Sequence, residues 1–293
     1  MSLIKAKRSL GQNFLTDSSV LTDIIKAVDP EKGKTIVEIG PGHGELTQLI
    51  AEGQPTNLIL IEKDRRLIEG LREKFQKPNN KSQIKTLVQI IEGDALEIIR
   101  NSKLEIRNST NYKLVGNIPY YITGQLFRII SELRHKPTSI VFMIQKEVAE
   151  RICASASNGM NILAASIQIW AKPEIIRFVD RKAFNPAPKV DSAVIRLTTN
   201  KKQLTINEAQ KYYKLIKILF KQPRKTIWNN IKQITPPTLR KAGVRGSDQN
   251  VGADNKHLTE EMLKTKLKKI GINLKWRPQN LSVEKLTQLS RVF

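Results

Sequence analysis

Residues 35–44 read Thr-Ile-Val-Glu-Ile-Gly-Pro-Gly-His-Gly, a β-branched run that ends in a glycine-rich turn, and a helical pattern follows at Leu46–Ala51. Short apolar runs bounded by turn residues are typical of buried strands. Glycines let a ligand approach the backbone closely, and the N-terminus of the next helix offers free N–H groups. The stretch therefore predicts a strand, a ligand-binding turn and a helix, the opening unit of an α/β fold.

Similar apolar runs alternate with helical patterns through the first two-thirds of the chain. The predicted strands are Thr35–Gly40, Asn57–Glu62, Val88–Gly93, Lys113–Asn117, Ser139–Gln145, Glu174–Val179 and Val190–Leu197. Helical patterns lie between them, for example at Arg65–Phe75 and Gln125–Leu133. Strands that alternate with helices form right-handed βαβ units and a mostly parallel sheet covered on both faces. We expect an α/β domain over residues 1–198.

The last third of the chain has a different pattern and a different charge. Its predicted helices are Asn207–Phe220, Arg224–Ile234, Pro237–Ala242, Thr259–Ile270 and Val283–Arg291, with a loop at Ser247–His257. Residues 199–293 carry 21 basic and 6 acidic side chains, a net charge of +15 out of +23 for the 293-residue chain. Such a concentration favours salt-sensitive binding to nucleic acid. We expect a basic, all-helical RNA-binding or ribosome-binding domain over residues 199–293, with Lys221, Arg224 and Lys225 contacting phosphates.

The composition excludes several classes of protein. With 40% hydrophobic and 26% charged residues, the chain has the composition of a globular protein rather than a disordered one. Cys153 is the single cysteine, which excludes an internal disulfide framework and suits a reducing compartment. The three histidines are widely spaced, no apolar run approaches the ~20 residues of a membrane span, and Met1–Gly11 lacks an apolar export segment. These features predict a cytoplasmic protein without a metal or a membrane anchor.

Two acids end the strands that follow the glycine turn. Glu62 lies 22 residues after Gly40, where a carboxylate can bind both hydroxyls of a ribose. Asp94 closes the next strand, where it can accept a hydrogen bond from an adenine amino group. The turn has G-x-G-x-G spacing through Gly40, Gly42 and Gly44. This combination favours a nucleoside-containing cofactor and leaves both NAD and S-adenosylmethionine open.

Residues 116–120, Gly-Asn-Ile-Pro-Tyr, end the fourth strand and indicate the chemistry. The lone pair of an exocyclic adenine nitrogen is delocalised into the ring, so a methylating site must hold both amino hydrogens on acceptors. The Asn117 side-chain oxygen is one acceptor, and Pro119 keeps Ile118 extended so that its carbonyl can be the second. Tyr120 offers an aromatic face for an extracted base. The motif predicts in-line methyl transfer to adenine without a metal or a covalent intermediate.

The order of these motifs resembles that of the ribosomal RNA adenine N6,N6-dimethyltransferases, in particular the branch that modifies two adjacent adenosines near the 3′ end of small-subunit ribosomal RNA. The matching segments are Leu10–Leu15, Glu38–Gly44, Glu62, Asp94, Asn117–Tyr120, Gln145–Ala149, Phe184–Ala193, Arg224–Ile227 and Asn280–Val283. The resemblance covers nearly the whole chain. It implies a Rossmann-like, S-adenosylmethionine-dependent methyltransferase sheet with a small C-terminal all-helical domain.

The resemblance also implies roles for individual residues. Those expected to bind the cofactor are Asn13, Leu15, Glu38, Gly40, Gly42, Glu62, Asp94 and Asn117. Those expected to hold the target base are Asn117, Ile118, Tyr120 and Phe184. Phe184 would stack on the second face of the base, and its Pro-rich flanks predict an exposed loop.

The expected partner is small-subunit ribosomal RNA in an assembling small subunit, and the expected state is a monomer. Two alternatives remain open: an Erm-type enzyme that dimethylates one large-subunit adenosine, and an assembly factor without catalysis. A DNA adenine methyltransferase is disfavoured because its motif normally has a second proline where this chain has Ile118. A Rossmann dehydrogenase would account for the glycines but not for Asn117–Tyr120 or the charge.

Overall fold

The computed structural model describes residues 4–31, 33–76, 86–101, 111–201, 203–232 and 260–293. The chain divides into two compact units, the first formed by residues 1–153 and 171–201 and the second by residues 154–170 and 202–293. The boundary expected near residue 198 lies close to the last of these junctions. Residues 154–170 were expected in the first domain, whereas they group with the second unit.

A seven-stranded sheet forms the first unit, with a separate two-stranded ribbon. The strands are β1 (Phe14–Leu15), β2 (Thr35–Ile39), β3 (Asn57–Glu62), β4 (Leu87–Glu92), β5 (Tyr112–Asn117), β6 (Ser139–Gln145), β7 (Ala171–Val179), β8 (Phe184–Asn185) and β9 (Ser192–Thr199). The large sheet has the order β4-β3-β2-β5-β6-β9-β7, and β1 pairs with β8. The first five strands in this order are parallel, and β9 is antiparallel to both of its neighbours. The predicted α/β sheet is confirmed.

Helices connect the parallel strands and cover the sheet. They are α1 (Ser18–Val28), α2 (Glu45–Glu52), α3 (Arg65–Phe75), α4 (Ala95–Arg100), α5 (Thr123–Glu132) and α6 (Lys146–Ile152). Their apolar faces pack on the strands in a core that includes Leu21, Ile36, Ile50, Leu60 and Val115. This burial accounts for the short, nearly continuous β-branched runs in the sequence, because strands covered on both faces need apolar side chains on both.

The parallel strands bring the sequence motifs to one edge of the sheet. Ile39 is in register with Ile61 on one side and with Gly116 on the other, so the turn after β2 lies between the ends of β3 and β5. A Cβ atom on Gly116 would lie 2.5 Å from the Ile39 carbonyl oxygen, a distance that only glycine permits. Ligands of open parallel sheets bind outside these carboxyl ends.

The second unit is helical over the residues described. Its helices are α7 (Ile162–Gln168), α8 (Ile206–Lys221), α9 (Ile227–Ile231), α10 (Glu260–Lys269) and α11 (Val283–Ser290). Buried Tyr212 on α8 donates a hydrogen bond of 3.0 Å to the carbonyl of Ala165, which ties α7 into this unit. The predicted helix at 237–242 and loop at 247–257 lie outside the described residues. None of the helices within the described ranges is long and apolar enough to cross a membrane.

Candidate active site

A cavity lies at the carboxyl ends of β2, β3 and β5 and next to the start of α4. Eight of the residues expected at the site line it: Asn13, Gly40, Gly42, Glu62, Asp94, Asn117, Ile118 and Tyr120. They come from five separate segments of the chain: the parallel strands bring four of these to one edge of the sheet, and the segment before β1 adds Asn13. Leu15, Glu38 and Phe184 do not line it.

The glycine turn closes one side of the cavity with its backbone. Gly40 and Gly42 have φ angles of +66° and +62°, in the left-handed region that favours glycine. The Gly40 N–H donates a hydrogen bond of 2.9 Å to the Ile61 carbonyl, which holds the turn against β3. A Cβ atom on Gly42 would lie 3.2 Å from the Phe14 ring. Side chains here would therefore fill the space in which a ligand meets the turn.

Glu62 ends β3 with its carboxylate fixed by backbone donors. Its Oε1 accepts a hydrogen bond of 2.8 Å from the Asp64 N–H, and its Oε2 accepts one of 3.3 Å from the Gly42 N–H. The residue is 5% exposed, and this burial raises the pKa of the carboxyl group. An acid held in this way lines the cavity with acceptor oxygens beside the glycine turn, as ribose hydroxyls require.

Asp94 caps α4 and lines the cavity near the end of β4. Its Oδ1 accepts a hydrogen bond of 2.8 Å from the Leu96 N–H, and its Oδ2 accepts one of 2.8 Å from Lys63 Nζ. Partial burial raises the pKa of this carboxyl group, but the bonds from Lys63 and Leu96 outweigh that effect and the net pKa is lowered. Asp94 is therefore an ionised acceptor with a cation beside it.

Asn117 has a defined amide orientation at the end of β5. Its Nδ2 donates a hydrogen bond of 2.8 Å to the backbone carbonyl of Asn13. This bond uses the donor end of the amide and leaves Oδ1 as an acceptor, the group that an adenine amino nitrogen needs. Ile118 is bonded through its N–H to the Met143 carbonyl at 3.1 Å, and its side chain is buried. Pro119 is itself extended, with φ −54° and ψ 130°, and a short 3₁₀ helix begins directly after it at Tyr120.

Tyr120 is held by its hydroxyl group, which lies 2.8 Å from Oγ of Ser192 at the start of β9. Ser192 is completely buried. Burial raises the pKa of the Tyr120 phenol, so the ring stays neutral at physiological pH. The phenol is thus anchored at its polar end while the residue lines the cavity.

Glu38 lies beneath the glycine turn rather than in the cavity. It is buried, and its Oε2 accepts a hydrogen bond of 2.7 Å from the Thr47 hydroxyl on α2. Burial raises the pKa of Glu38 to about 8. In this structure Glu38 therefore links β2 to α2, and any effect on a cofactor would pass through the turn.

Leu15 and Phe184 face each other in the β1–β8 pair, and both belong to the hydrophobic core. Phe184 is 5% exposed. The expectation of an exposed aromatic is wrong for this structure, because strand pairing with β1 and packing in the core outweigh the Pro-rich flanks. A stacking role for Phe184 stays a prediction.

Among the cavity residues that sequence reasoning missed are Gln12, Lys63 and Tyr121, which carry polar or aromatic side chains. Gln12 lies within the segment Leu10–Leu15, so position in a motif was a signal for it. Lys63 and Tyr121 directly follow Glu62 and Tyr120, and only the three-dimensional arrangement distinguishes them from surface residues. Tyr121 is 60% exposed, and a Cβ atom on Gly11 would lie 3.2 Å from its ring.

The basic residues expected to contact RNA lie where α8 ends and α9 begins. Lys221, Arg224 and Lys225 are all exposed. Buried Asn230 organises this corner, since its Nδ2 lies 3.3 Å from the Gln222 carbonyl, 3.2 Å from the Lys225 carbonyl and 3.1 Å from the Thr226 carbonyl. The corner thus presents three cations from a fixed backbone.

Comparisons with known proteins agree with this geometry. The family model described as "Ribosomal RNA adenine dimethylase" matches residues 3–268. A protein of Mycoplasma capricolum named ribosomal RNA small subunit methyltransferase A is 37% identical over 235 residues, 79% of this chain and 84% of its own. The protein of the same name from Clostridium botulinum strain Loch Maree is 34% identical over 98% of this chain and 93% of its own.

Among the solved structures that share the fold over nearly the whole chain is a dimethyladenosine transferase from Plasmodium falciparum, with a TM-score of 0.72 and 24% sequence identity. The match covers 94% of this chain and 95% of the other. At that identity the likeness concerns the fold.

Proposed function

We propose that this chain, which belongs to the ribosomal RNA adenine dimethylase family, dimethylates N6 of two adjacent adenosines. These adenosines lie near the 3′ end of small-subunit ribosomal RNA, and the reaction takes place during subunit assembly. The enzyme is an S-adenosylmethionine-dependent methyltransferase. The observation that carries the proposal is the hydrogen bond from Asn117 Nδ2 to the Asn13 carbonyl, because it orients a neutral acceptor at the end of β5.

The residues around the cavity fit the cofactor. S-adenosylmethionine supplies an electrophilic methyl group on a sulfonium sulfur. Gly40 and Gly42 have no side chains to obstruct its approach, and Glu62 accepts hydrogen bonds from the ribose hydroxyls. Asp94 accepts one from the adenine amino group of the cofactor. The positions of these acceptors around the cavity support the assignments.

The target adenine is activated by acceptors and by stacking. In the first of the two transfers, Asn117 Oδ1 and the Ile118 carbonyl would accept hydrogen bonds from the two amino hydrogens, which returns lone-pair density to the nitrogen. Tyr120 supports the base, with its ring fixed through Ser192. The amino nitrogen would displace the sulfonium group: a carbon–nitrogen bond would form as the carbon–sulfur bond breaks, S-adenosylhomocysteine would leave, and one amino proton would pass to solvent. Positioning and electrostatics supply the catalysis.

The exposed corner of Lys221, Arg224 and Lys225 is proposed to bind the phosphate backbone of the ribosomal RNA. Phosphate contacts fix the position and orientation of a protein on RNA without reading bases. We further propose that the enzyme acts as a monomer in the cytoplasm, where small subunits assemble. The net charge of +15 over residues 199–293 supports the proposed binding to the phosphate backbone.

The proposal is tested by incubating the purified enzyme and labelled S-adenosylmethionine with small subunits that lack the modification. We expect dimethyladenosine at two adjacent positions near the 3′ end of the small-subunit RNA. Labelled product confined to large-subunit RNA would instead support an Erm-type activity. Tight binding without any label transfer would support a non-catalytic assembly factor.

A further inference from the structure

The side-chain amide of Gln12 is bonded at both of its ends. Its Nε2 donates a hydrogen bond of 2.9 Å to Asp64 Oδ2, and its Oε1 accepts one of 2.7 Å from the Lys7 N–H. The first bond joins residues that lie 52 positions apart in the chain. Gln12 therefore ties the segment before β1 to the loop between β3 and α3.

Asp64 is a rigid anchor for this tie. It is buried, and its Oδ1 caps α3 by accepting from the Arg66 N–H. The Arg66 guanidinium adds bonds of 2.9 Å from Nε to Oδ1 and 2.6 Å from Nη2 to Oδ2. The bonds from Arg66 are the main reason that the pKa of Asp64 falls to about 2. The carboxylate therefore stays ionised, and charged acceptors make the stronger hydrogen bonds.

Gln12 directly precedes Asn13, whose carbonyl accepts the hydrogen bond from Asn117 Nδ2. On the other side of Asn13, Phe14 pairs with Asn185 in the β1–β8 ribbon. The Asn13 carbonyl is thus fixed between two anchors, the ribbon and the Gln12–Asp64 bond. Loss of either anchor frees the carbonyl that orients Asn117.

We propose that Gln12 is a positioning residue for methyl transfer: held by Asp64, it fixes the Asn13 carbonyl and so keeps Asn117 Oδ1 in place as the acceptor for the target amino group. The inference rests on the proposed function, since it assigns Gln12 a part in the same reaction. Both ends of the Gln12 side-chain amide are already bonded, to Asp64 and to the Lys7 N–H, and its proposed action on the reaction passes through Asn117.

The central test is a double-mutant cycle in single-turnover methylation of small subunits. We expect Gln12→Ala to lower the rate of methyl transfer by about 10- to 100-fold, the cost of misplacing a reacting group by about 1 Å. The KM for S-adenosylmethionine should change far less. In an Asn117→Ala background the same substitution should have no further effect, because the group that it positions is gone. Multiplicative losses in the double variant would overturn the proposal.

Exchanging donor and acceptor between Gln12 and Asp64 distinguishes a positioning role from a general loss of stability. Gln12→Glu places a second carboxylate against Asp64 and should slow methyl transfer at least as much as Gln12→Ala. Adding Asp64→Asn restores one donor and one acceptor with their direction reversed, and it keeps a good capping residue on α3. It gives up the bond from Arg66 Nη2 to Oδ2, so Asp64→Asn alone is measured beside the pair. We expect this pair to recover most of the rate. No recovery in a protein whose melting temperature matches that of the wild type would count against the proposal.

Ser9→Ala is the matched control, since Ser9 is exposed in the same segment. Wild-type activity in this control together with wild-type activity in Gln12→Ala would refute the role of Gln12. Hydrogen exchange of residues 5–14 with S-adenosylhomocysteine bound gives a readout without turnover, and Gln12→Ala should exchange faster there. If the wild type itself methylates no small subunit, the proposed function fails, and this exchange measurement still decides whether Gln12 holds the segment.

Discussion

Asn117 at the end of β5 donates a hydrogen bond of 2.8 Å to the carbonyl of Asn13, 104 residues earlier in the chain. This contact joins the segment that covers the cavity to the segment that carries the acceptor. It gives the amide one orientation, in which the oxygen accepts. As the target amino nitrogen attacks, positive charge develops on it and its N–H groups become stronger hydrogen-bond donors. A fixed acceptor therefore stabilises the transition state more than the ground state.

Replacing Asn117 should therefore affect turnover more than binding. We expect Asn117→Ala to lower the rate of methyl transfer by about 10²–10³-fold, as removal of one preorganised hydrogen-bonding group does elsewhere. The affinity for S-adenosylmethionine, measured by calorimetry, should stay within a few-fold of the wild type. Asn57→Ala is the control, since Asn57 starts β3 at the opposite end of the same sheet. A rate near that of this control would contradict the assigned mechanism.

Glu62 should control cofactor affinity. Hydrogen bonds to a charged acceptor are worth about 1.5–3 kcal/mol each. Glu62→Gln would lose part of the contact with the ribose hydroxyls, so we expect cofactor binding to weaken by about 10- to 100-fold. The rate at saturating cofactor should change less. Burial raises the pKa of Glu62, so affinity of the wild type should fall as the pH is lowered through that raised pKa and the carboxylate becomes protonated. Calorimetry over a pH series checks both statements. The control is Glu92→Gln, an exposed acid in register with Glu62 on β4.

The fold was predictable where local sequence sets local structure. The strands from Thr35 to Gln145 are short apolar runs bounded by turn residues, and burial on both faces strengthens that pattern in β2, β3, β5 and β6. The cavity residues at their ends were predictable for the same reason, because the carboxyl ends of parallel strands meet at one edge of the sheet. Helix α1, by contrast, carries an Asp17 cap and apolar spacing from Val20 to Val28 that sequence reasoning overlooked.

Other features depend on contacts that are distant in sequence. Phe184 is buried because it pairs with Leu15, 169 residues away, and no local pattern encodes that pairing. Residues 154–170 group with the second unit because small side chains such as Ala164 and Ala165 pack in the same core as Tyr212. The Gln12–Asp64 bond is likewise visible only in three dimensions.

Glu38 should make stability depend on pH. The pKa of its carboxyl group is raised from 4.5 to about 8 in the folded protein. Between these values the native state holds a proton that the unfolded state has released, so the free energy of unfolding should fall by up to about 1.4 kcal/mol per pH unit as the pH rises. Glu38→Gln has no carboxyl group to titrate at this position. Its free energy of unfolding relative to that of the wild type should therefore grow up to about pH 8 and then level off. Denaturant unfolding at several pH values measures this difference. Parallel curves for the two proteins would contradict it, and exposed Glu97→Gln is the control.

The exposed corner of Lys221, Arg224 and Lys225 should determine how salt affects binding to small subunits. Each phosphate contact that is lost lowers the slope of log affinity against log salt by about 0.7–0.9. The double reversal of Arg224 and Lys225 to Glu should therefore weaken subunit binding and make its salt dependence shallower, while S-adenosylmethionine binding is kept. Reversal of Lys268 and Lys269 to Glu is the matched control, since it makes the same change in net charge at exposed positions of α10. If Lys221, Arg224 and Lys225 only keep the protein soluble, the two double variants will change the slope of log affinity against log salt equally. A larger change for the Arg224–Lys225 pair, measured by filter binding over a salt series, locates the phosphate contacts at the corner that Asn230 holds in place.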